Sequence, residues 1–133
     1  MQEIMELLEK NPAVFLATSD GDKARVRPFQ FQFARDGRLW FVTARNKEVW
    51  GQMQANSWVE ISNFAPDMTT LRVQGRAVLE DDLEIKRQVL ELRPMIKSIY
   101  GSADNPILAS FHIQPIRAVI FDFSGKPPRF FSF

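Results

Sequence analysis

The sequence predicts a mainly β (α+β) domain: a closed or partly open antiparallel barrel of about six strands with short flanking helices. Three observations carry this. Short β-prone runs recur along the chain, separated by Gly-containing turns at Asp20-Gly21 and Asp36-Gly37. Helical patterns are few and brief and do not alternate with strands as βαβ units would. Neither G-x-G-x-x-G nor G-x-x-x-x-G-K-[ST] occurs, so no Rossmann or P-loop nucleotide site is expected. With 133 residues, 45% hydrophobic and 25% charged, one core and one domain over 1–133 are expected, stable without disulfides.

Taken in order, Ile4, Leu7 and Leu8 recur at helical spacing, and Pro12 restricts Asn11, so a short first helix ends there. AVFLATSDGDKARVRPFQFQF then reads as a hairpin. The period of two in its second strand sets Arg25, Arg27, Phe29, Phe31 and Phe33 on one face and Val26, Pro28, Gln30 and Gln32 on the other. Periodicity favours Phe29 to Phe33 in the core with the arginines beyond its rim. Pro28 has no N–H for a ladder, so the strand is at an edge, bulged or open to a ligand there. RLWFVT is a third strand, and NKEVWGQMQAN a short helix with Asn46 as its cap. Ser57 to Phe64 and LRVQGRAVL are two further strands, Gly75 marking a bulge or a close approach. DDLEIKRQVLELRP is a helix capped by Asp81 or Asp82 and ended by Pro94, with Leu83, Val89, Leu90 and Leu92 apolar and its charges a solvated face. IRAVIFDF is the last strong strand, before a Ser124-Gly125 turn, Pro127-Pro128 and RFFSF.

Composition narrows the chemistry. There is no cysteine and one histidine, His112, which removes thiolate nucleophiles, Cys-ligated zinc and His-rich metal centres and leaves a Ser-His-Asp triad dependent on one imidazole. His112 is given no role. No apolar run approaches the roughly 18 to 20 residues that span a bilayer, and the opening MQEIMELLEK is acidic rather than a basic leader, so a cytoplasmic protein without membrane attachment is expected. Net charge is only +1, yet Arg25, Arg27, Arg35, Arg38 and Arg45 lie between Lys23 and Lys47 against one acid, Asp36, a local anion-binding signal. The junction VTARNKEV offers the hydroxyl of Thr43, the cations Arg45 and Lys47 and free helix amides, which together suit a phosphate. A phosphorylated aromatic ligand is permitted. Arg72 and Arg76 read equally well as solvent-exposed or as partners of Glu60 or Glu80.

The order NPAVFLATSDGDKARVRPFQF, GRLWFVTARNKEV, LRVQGRAVLEDD and AVIFDFSG resembles the pyridoxamine 5′-phosphate oxidase-like family of FMN-binding split β-barrels, in particular its short members, from Asn11 to Gly125. The resemblance implies a six-stranded split barrel forming a homodimer, with one FMN in each of two clefts between subunits. It implies that Arg25, Val26, Arg27, Pro28, Phe29 and Gln30 form the strand against the flavin ring and ribityl chain, that Val42 and Thr43 lie beside the phosphate, and that Lys47, with Arg45 and Asn46, clamps it. Thr70 and Arg72 would reach the cofactor from the partner. The R-x-H substrate element that ends the authentic oxidases is missing from PPRFFSF, so a substrate other than a B6 vitamer is expected. The reading is a flavin-dependent oxidoreductase acting on a small molecule. F420 is a lesser alternative to FMN, and the lone His outside the motifs argues against His-ligated haem. Two other classes stay open: a flavin-binding module without turnover, and a less favoured barrel stacking single-stranded nucleic acid on Phe29, Phe31 and Phe33, against which the near-neutral charge counts.

Overall fold

The computed structural model describes residues 1–133. Helix α1 (Gln2–Lys10) is followed by β1 (Ala13–Asp20), β2 (Lys23–Gln30), β3 (Phe33–Arg35), β4 (Arg38–Ala44), α2 (Glu48–Ala55), β5 (Trp58–Phe64), β6 (Thr70–Val78), α3 (Leu83–Leu92), α4 (Pro94–Tyr100), β7 (Leu108–Phe121) and β8 (Arg129–Ser132). All pairings are antiparallel, in the order β2-β1-β5-β6-β7-β4-β3, with β8 added to β7. The sheet is therefore an open, split barrel. Its two edges approach at one point, where Phe31 N–H donates to Pro12 O (2.7 Å) and Gln32 N–H to Trp40 O (3.1 Å) as the chain passes from β2 to β3.

That crossing corrects the continuous second strand expected through Phe33. Phe29 and Phe31 do enter the core, meeting Phe41 and Phe111 at ring separations of 5.6–6.2 Å in tilted and edge-on arrangements. Phe33 instead joins a smaller cluster with Trp40, Ile85 and Val89 under α3. Phe31 is buried, whereas Phe29 and Phe33 are each half-buried on different clusters, so the three rings do not share one face. Pro28 sits on β2, an edge strand paired only with β1, so its missing N–H breaks no ladder. One end of the barrel is plugged by Ile4 and Leu8 of α1, both fully buried.

Eight strands replace the expected six, because β3 separates from β2 and Arg129–Ser132 form β8. The last long strand also begins eight residues before IRAVIFDF, at Leu108. Its interior Pro115 is accommodated by a bulge: Gln74 opposes Arg117 and Gly75 opposes Pro115, leaving Ile116 extra. Gly75 is required by close approach, since a Cβ there would lie 2.3 Å from Gln114 O. The Asp36-Gly37 turn forms as expected, with both residues at positive φ (54° and 73°).

The third helix departs from expectation in two ways. Asp82 caps it, accepting from Ile85 N–H (3.1 Å), but Leu83 and Leu92 are exposed while Ile85, Val89 and Leu90 are buried. Its charges are not all solvated: Lys86 is 4% exposed and pairs with Asp81 at 2.7 Å. Pro94 ends α3 and also starts α4, where a proline at the first position costs no hydrogen bond.

Candidate functional site

The ends of β2 and β4 lie side by side because β1 and β7 hold them on opposite edges of the split. Into the space between them open Pro28, Phe29 and Gln30 from β2, Val42 and Thr43 from β4, and Lys47 from the turn before α2; Ile96, Ile99 and Tyr100 of α4 form the outer wall. The pocket measures about 210 Å³. Of the sequence-derived candidates, the structure gathers here Pro28, Phe29, Gln30, Val42, Thr43 and Lys47.

Two polar groups in the pocket are unspent. The Thr43 hydroxyl is buried and has no hydrogen-bond partner. The Lys47 ammonium is solvent-exposed and makes no salt bridge or side-chain hydrogen bond. Lys47, not Asn46, is the N-cap of α2, because a turn closed by Lys47 N–H to Ala44 O (3.1 Å) delays the helix by one residue. Asn46 is exposed on that turn and does not line the pocket.

The arginines around the pocket are engaged elsewhere. Arg27 reaches across β1, donating to Thr18 Oγ1 (2.7 Å), Gln52 Oε1 (2.6 Å) and Leu16 O (3.3 Å), while Thr18 Oγ1 also donates to Gln52 Oε1 (2.6 Å). Burial lowers the Arg27 pKa, with Glu48 opposing the shift and Arg25 adding to it, and the group stays cationic. Arg45 donates to Pro106 O (2.5 Å) and Leu108 O (2.9 Å) and pairs with Asp81 (2.8 Å). Asp81 bridges Arg45 and Lys86; burial opposes ionisation of its carboxyl, but the two cations hold its pKa below the usual range. The turn carrying Lys47 is thereby tied to the starts of α3 and β7. Arg25 pairs with Asp20 (3.2 Å) at the hairpin tip, and Val26 faces solvent.

Thr70 and Arg72 are not brought to this pocket within one chain. They lie on the outer face of β6, where the Arg72 guanidinium sits 5.6 Å from the Phe121 ring centroid. His112 is 3% exposed, its ring 4.7 Å from that of Trp40, with Nε2–H donating to Glu80 (3.0 Å). Burial pushes its pKa below the ordinary imidazole value against the opposing pull of Glu80, and it does not reach the pocket.

Sequence reading missed α4. The signal was present in PMIKSIYG: a proline at the first helical turn, Met95, Ile96, Ile99 and Tyr100 at helical spacing, and Gly101 at φ 79° as the stop.

The match to known proteins agrees with this geometry. The family model described as pyridoxamine 5′-phosphate oxidase matches residues 1–123. The chain belongs to the pyridoxamine 5′-phosphate oxidase family. Among solved structures, a NimC/NimA family protein from Clostridium acetobutylicum is 33% identical, with a TM-score of 0.89 over 100% of this chain and 92% of its own. The general stress protein 26 of Bacillus anthracis shares the fold at 20% identity, TM-score 0.82, over 99% and 98% of the two chains. A pyridoxamine 5′-phosphate oxidase-related, FMN-binding protein from Nostoc punctiforme shares it at 16% identity, TM-score 0.72, over 97% and 87%. No curated protein matches the sequence. No helix of this family member is long and apolar enough to cross a membrane.

The residues present fit a flavin phosphate. A buried hydroxyl with no partner costs about 1–3 kcal/mol and is satisfied by an incoming acceptor. The uncommitted Lys47 ammonium lining the same pocket provides the charge. The volume is below the roughly 300–1,000 Å³ of sites for drug-sized ligands, so one chain offers part of a site for a molecule as large as FMN.

Proposed function

We propose that this protein binds FMN in the pocket between β2, β4 and α4 and acts as a flavin-dependent oxidoreductase on a small molecule. The observation that carries the reading is that the partnerless Thr43 hydroxyl and the uncommitted Lys47 ammonium line one pocket with five apolar residues. Lys47 holds the phosphate charge, and the Thr43 hydroxyl donates to a phosphate or ribityl oxygen. Pro28 to Gln30 lie on an edge strand, whose unpaired backbone groups and Phe29 side chain orient the ring. FMN, when bound, supplies the hydride or electron transfer, and the protein supplies binding and orientation.

A second copy completes the site. On the outer face, Phe15, Ser62, Arg72, Val119 and Phe130 stand in register across β1, β5, β6, β7 and β8. Phe15 is 58% and Phe130 72% exposed, large apolar groups that a two-fold interface would cover. Such a dimer would carry Thr70 and Arg72 of each chain toward the other's pocket.

The visible spectrum of gently purified protein, with titration of added FMN, tests the reading directly; absence of any flavin binding overturns it. Lys47→Ala is expected to weaken FMN about 10- to 100-fold, the loss of one charge-assisted contact, and riboflavin little. Equal losses for both ligands would remove Lys47 from the phosphate. Sedimentation of FMN-loaded protein is expected to show a dimer.

A further inference from the structure

We infer that Arg93 is a positioning residue for this pocket: it clasps the end of β2 to the start of α4 and so sets the spacing between the wall of Pro28, Phe29 and Gln30 and the wall of Ile96, Ile99 and Tyr100. The inference deepens the FMN reading above and rests on it. Arg93 does not line the pocket and acts through its neighbours. It caps the end of α3 and directly precedes Pro94, the first residue of α4. From there its Nε–H donates to Gln32 Oε1 (3.0 Å) and its Nη2–H to Phe31 O (3.2 Å), the two residues at which the edges of the split barrel meet. The other half of the Gln32 amide, Nε2–H, donates to Gln30 O (3.1 Å), and Gln30 lines the pocket. A line of hydrogen bonds thus runs from the start of α4 through the buried Gln32 to the end of β2.

Three observations make this clasp a spacer. Arg93 is half-buried yet forms no salt bridge; its charge is spent on two neutral oxygens, which a planar fork of donors reaches together in fixed geometry. Packing holds α4 only lightly, since none of its residues is fully buried and Ile96 and Tyr100 rest on the edges of two small clusters. The far end of the helix is tied elsewhere: Asn105 Nδ2–H donates to Tyr100 O (2.9 Å), which pins it to the loop before β7 and leaves its distance from β2 unset. A wall that must meet a flat ring has to be held to within about 0.5 Å by the hydrogen bonds behind it. Arg93 and Gln32 supply those bonds here.

The test titrates FMN and riboflavin separately into two variants, following flavin fluorescence, with urea unfolding of each protein alongside. Arg93→Met opens the clasp with a side chain that still fills space, and is expected to weaken both flavins by the same factor, about tenfold, because it disturbs the wall against the ring and leaves the phosphate contact alone. Gln32→Glu divides the line in two. Its carboxylate accepts from Arg93 through a stronger, charge-assisted bond, so the unfolding midpoint should hold, but it has no N–H for Gln30 O, so both flavins should again weaken about tenfold. A merely structural contact would move affinity and stability together. The inference is overturned, with the FMN reading intact, if folded Arg93→Met binds both flavins as the parent does or weakens FMN alone, or if Gln32→Glu either keeps the parent's affinities or loses stability and affinity together. Should Arg93→Met not fold, Gln32→Glu decides. If the parent binds no flavin, both readings fall.

Discussion

The barrel interior and the pocket at its rim are built from the same strands but treat polar groups in opposite ways. On the interior side, Arg27, Thr18 and Gln52 close a triangle of hydrogen bonds, and Asn63 donates to Asn11 O at 3.1 Å. The interior exceptions are two ring nitrogens, Trp40 Nε1 and His112 Nδ1, both held between β4, β7 and α3. At the rim, the Thr43 hydroxyl and the Lys47 ammonium line one pocket and neither has a partner. Packing differs as well: four phenylalanine rings interlock inside, whereas α4 buries no residue fully. The contrast teaches that stability and ligand recognition rest mostly on different residues here, with Phe29 serving both, which makes them largely separable by mutation.

The sharpest separation comes from Phe111→Ala, at the centre of the ring cluster. It is expected to cost about 3–5 kcal/mol in urea unfolding. The folded fraction should lose FMN affinity only as far as Phe29, held edge-on by Phe111, shifts in the pocket, and a loss as large as that of Lys47→Ala in fully folded protein would merge the two regions. Gly75→Ala forces a methyl group against Gln114 O and Ile113 Cγ2, both fixed in β7, and should cost about 1–3 kcal/mol, again without a direct effect on FMN.

Smaller still is the pH response of His112. Its folded pKa is lowered, so the folded state holds fewer protons than the unfolded one over the window from the unfolded value of about 6.5 down to the folded value. Stability is therefore fully present above that window and falls as pH drops through it. Urea midpoints across this range should show the decline, and His112→Gln should flatten it. An unchanged slope would place the acid sensitivity elsewhere. At the far end, Lys47→Ala should move the unfolding free energy by less than about 0.5 kcal/mol, as an exposed side chain without partners, even while FMN binding weakens.

Much of this division was legible in the sequence. The Asp36-Gly37 turn, the alternation of Leu71, Val73 and Ala77, the α1 spacing and the edge position, one of the three that Pro28 left open, all follow from local chemistry that tertiary packing did not override. What could not be read depends on contacts distant in sequence. Lys86 is buried because Asp81 and Leu108 O meet it, and Arg45 is withdrawn from the anion because Asp81 and the 106–108 segment lie beside it. Residues 108–115 were not read as part of the strand, and their Ser110, His112 and Pro115 are answered by Glu80 and the bulge rather than by any local pattern.

The extra residue in β7 acts as a phase corrector. Upstream of Ile116 the core-facing positions are odd, Phe111 and Ile113; downstream they are even, Ala118 and Ile120. Both sets meet β6 positions of a single parity, with Ala77 opposite Ile113 and Val73 opposite Ala118. Deleting Ile116 would therefore leave a regular ladder with Gln74 still opposite Arg117 and Val73 opposite Ala118, whereas removing a residue elsewhere in β7 while the bulge stays would turn one flank's core side chains to water. Chain-length changes in this family member are tolerable at the Gly21-Asp22 hairpin tip, where no parity is carried across, and in its longest strand only at the bulge itself.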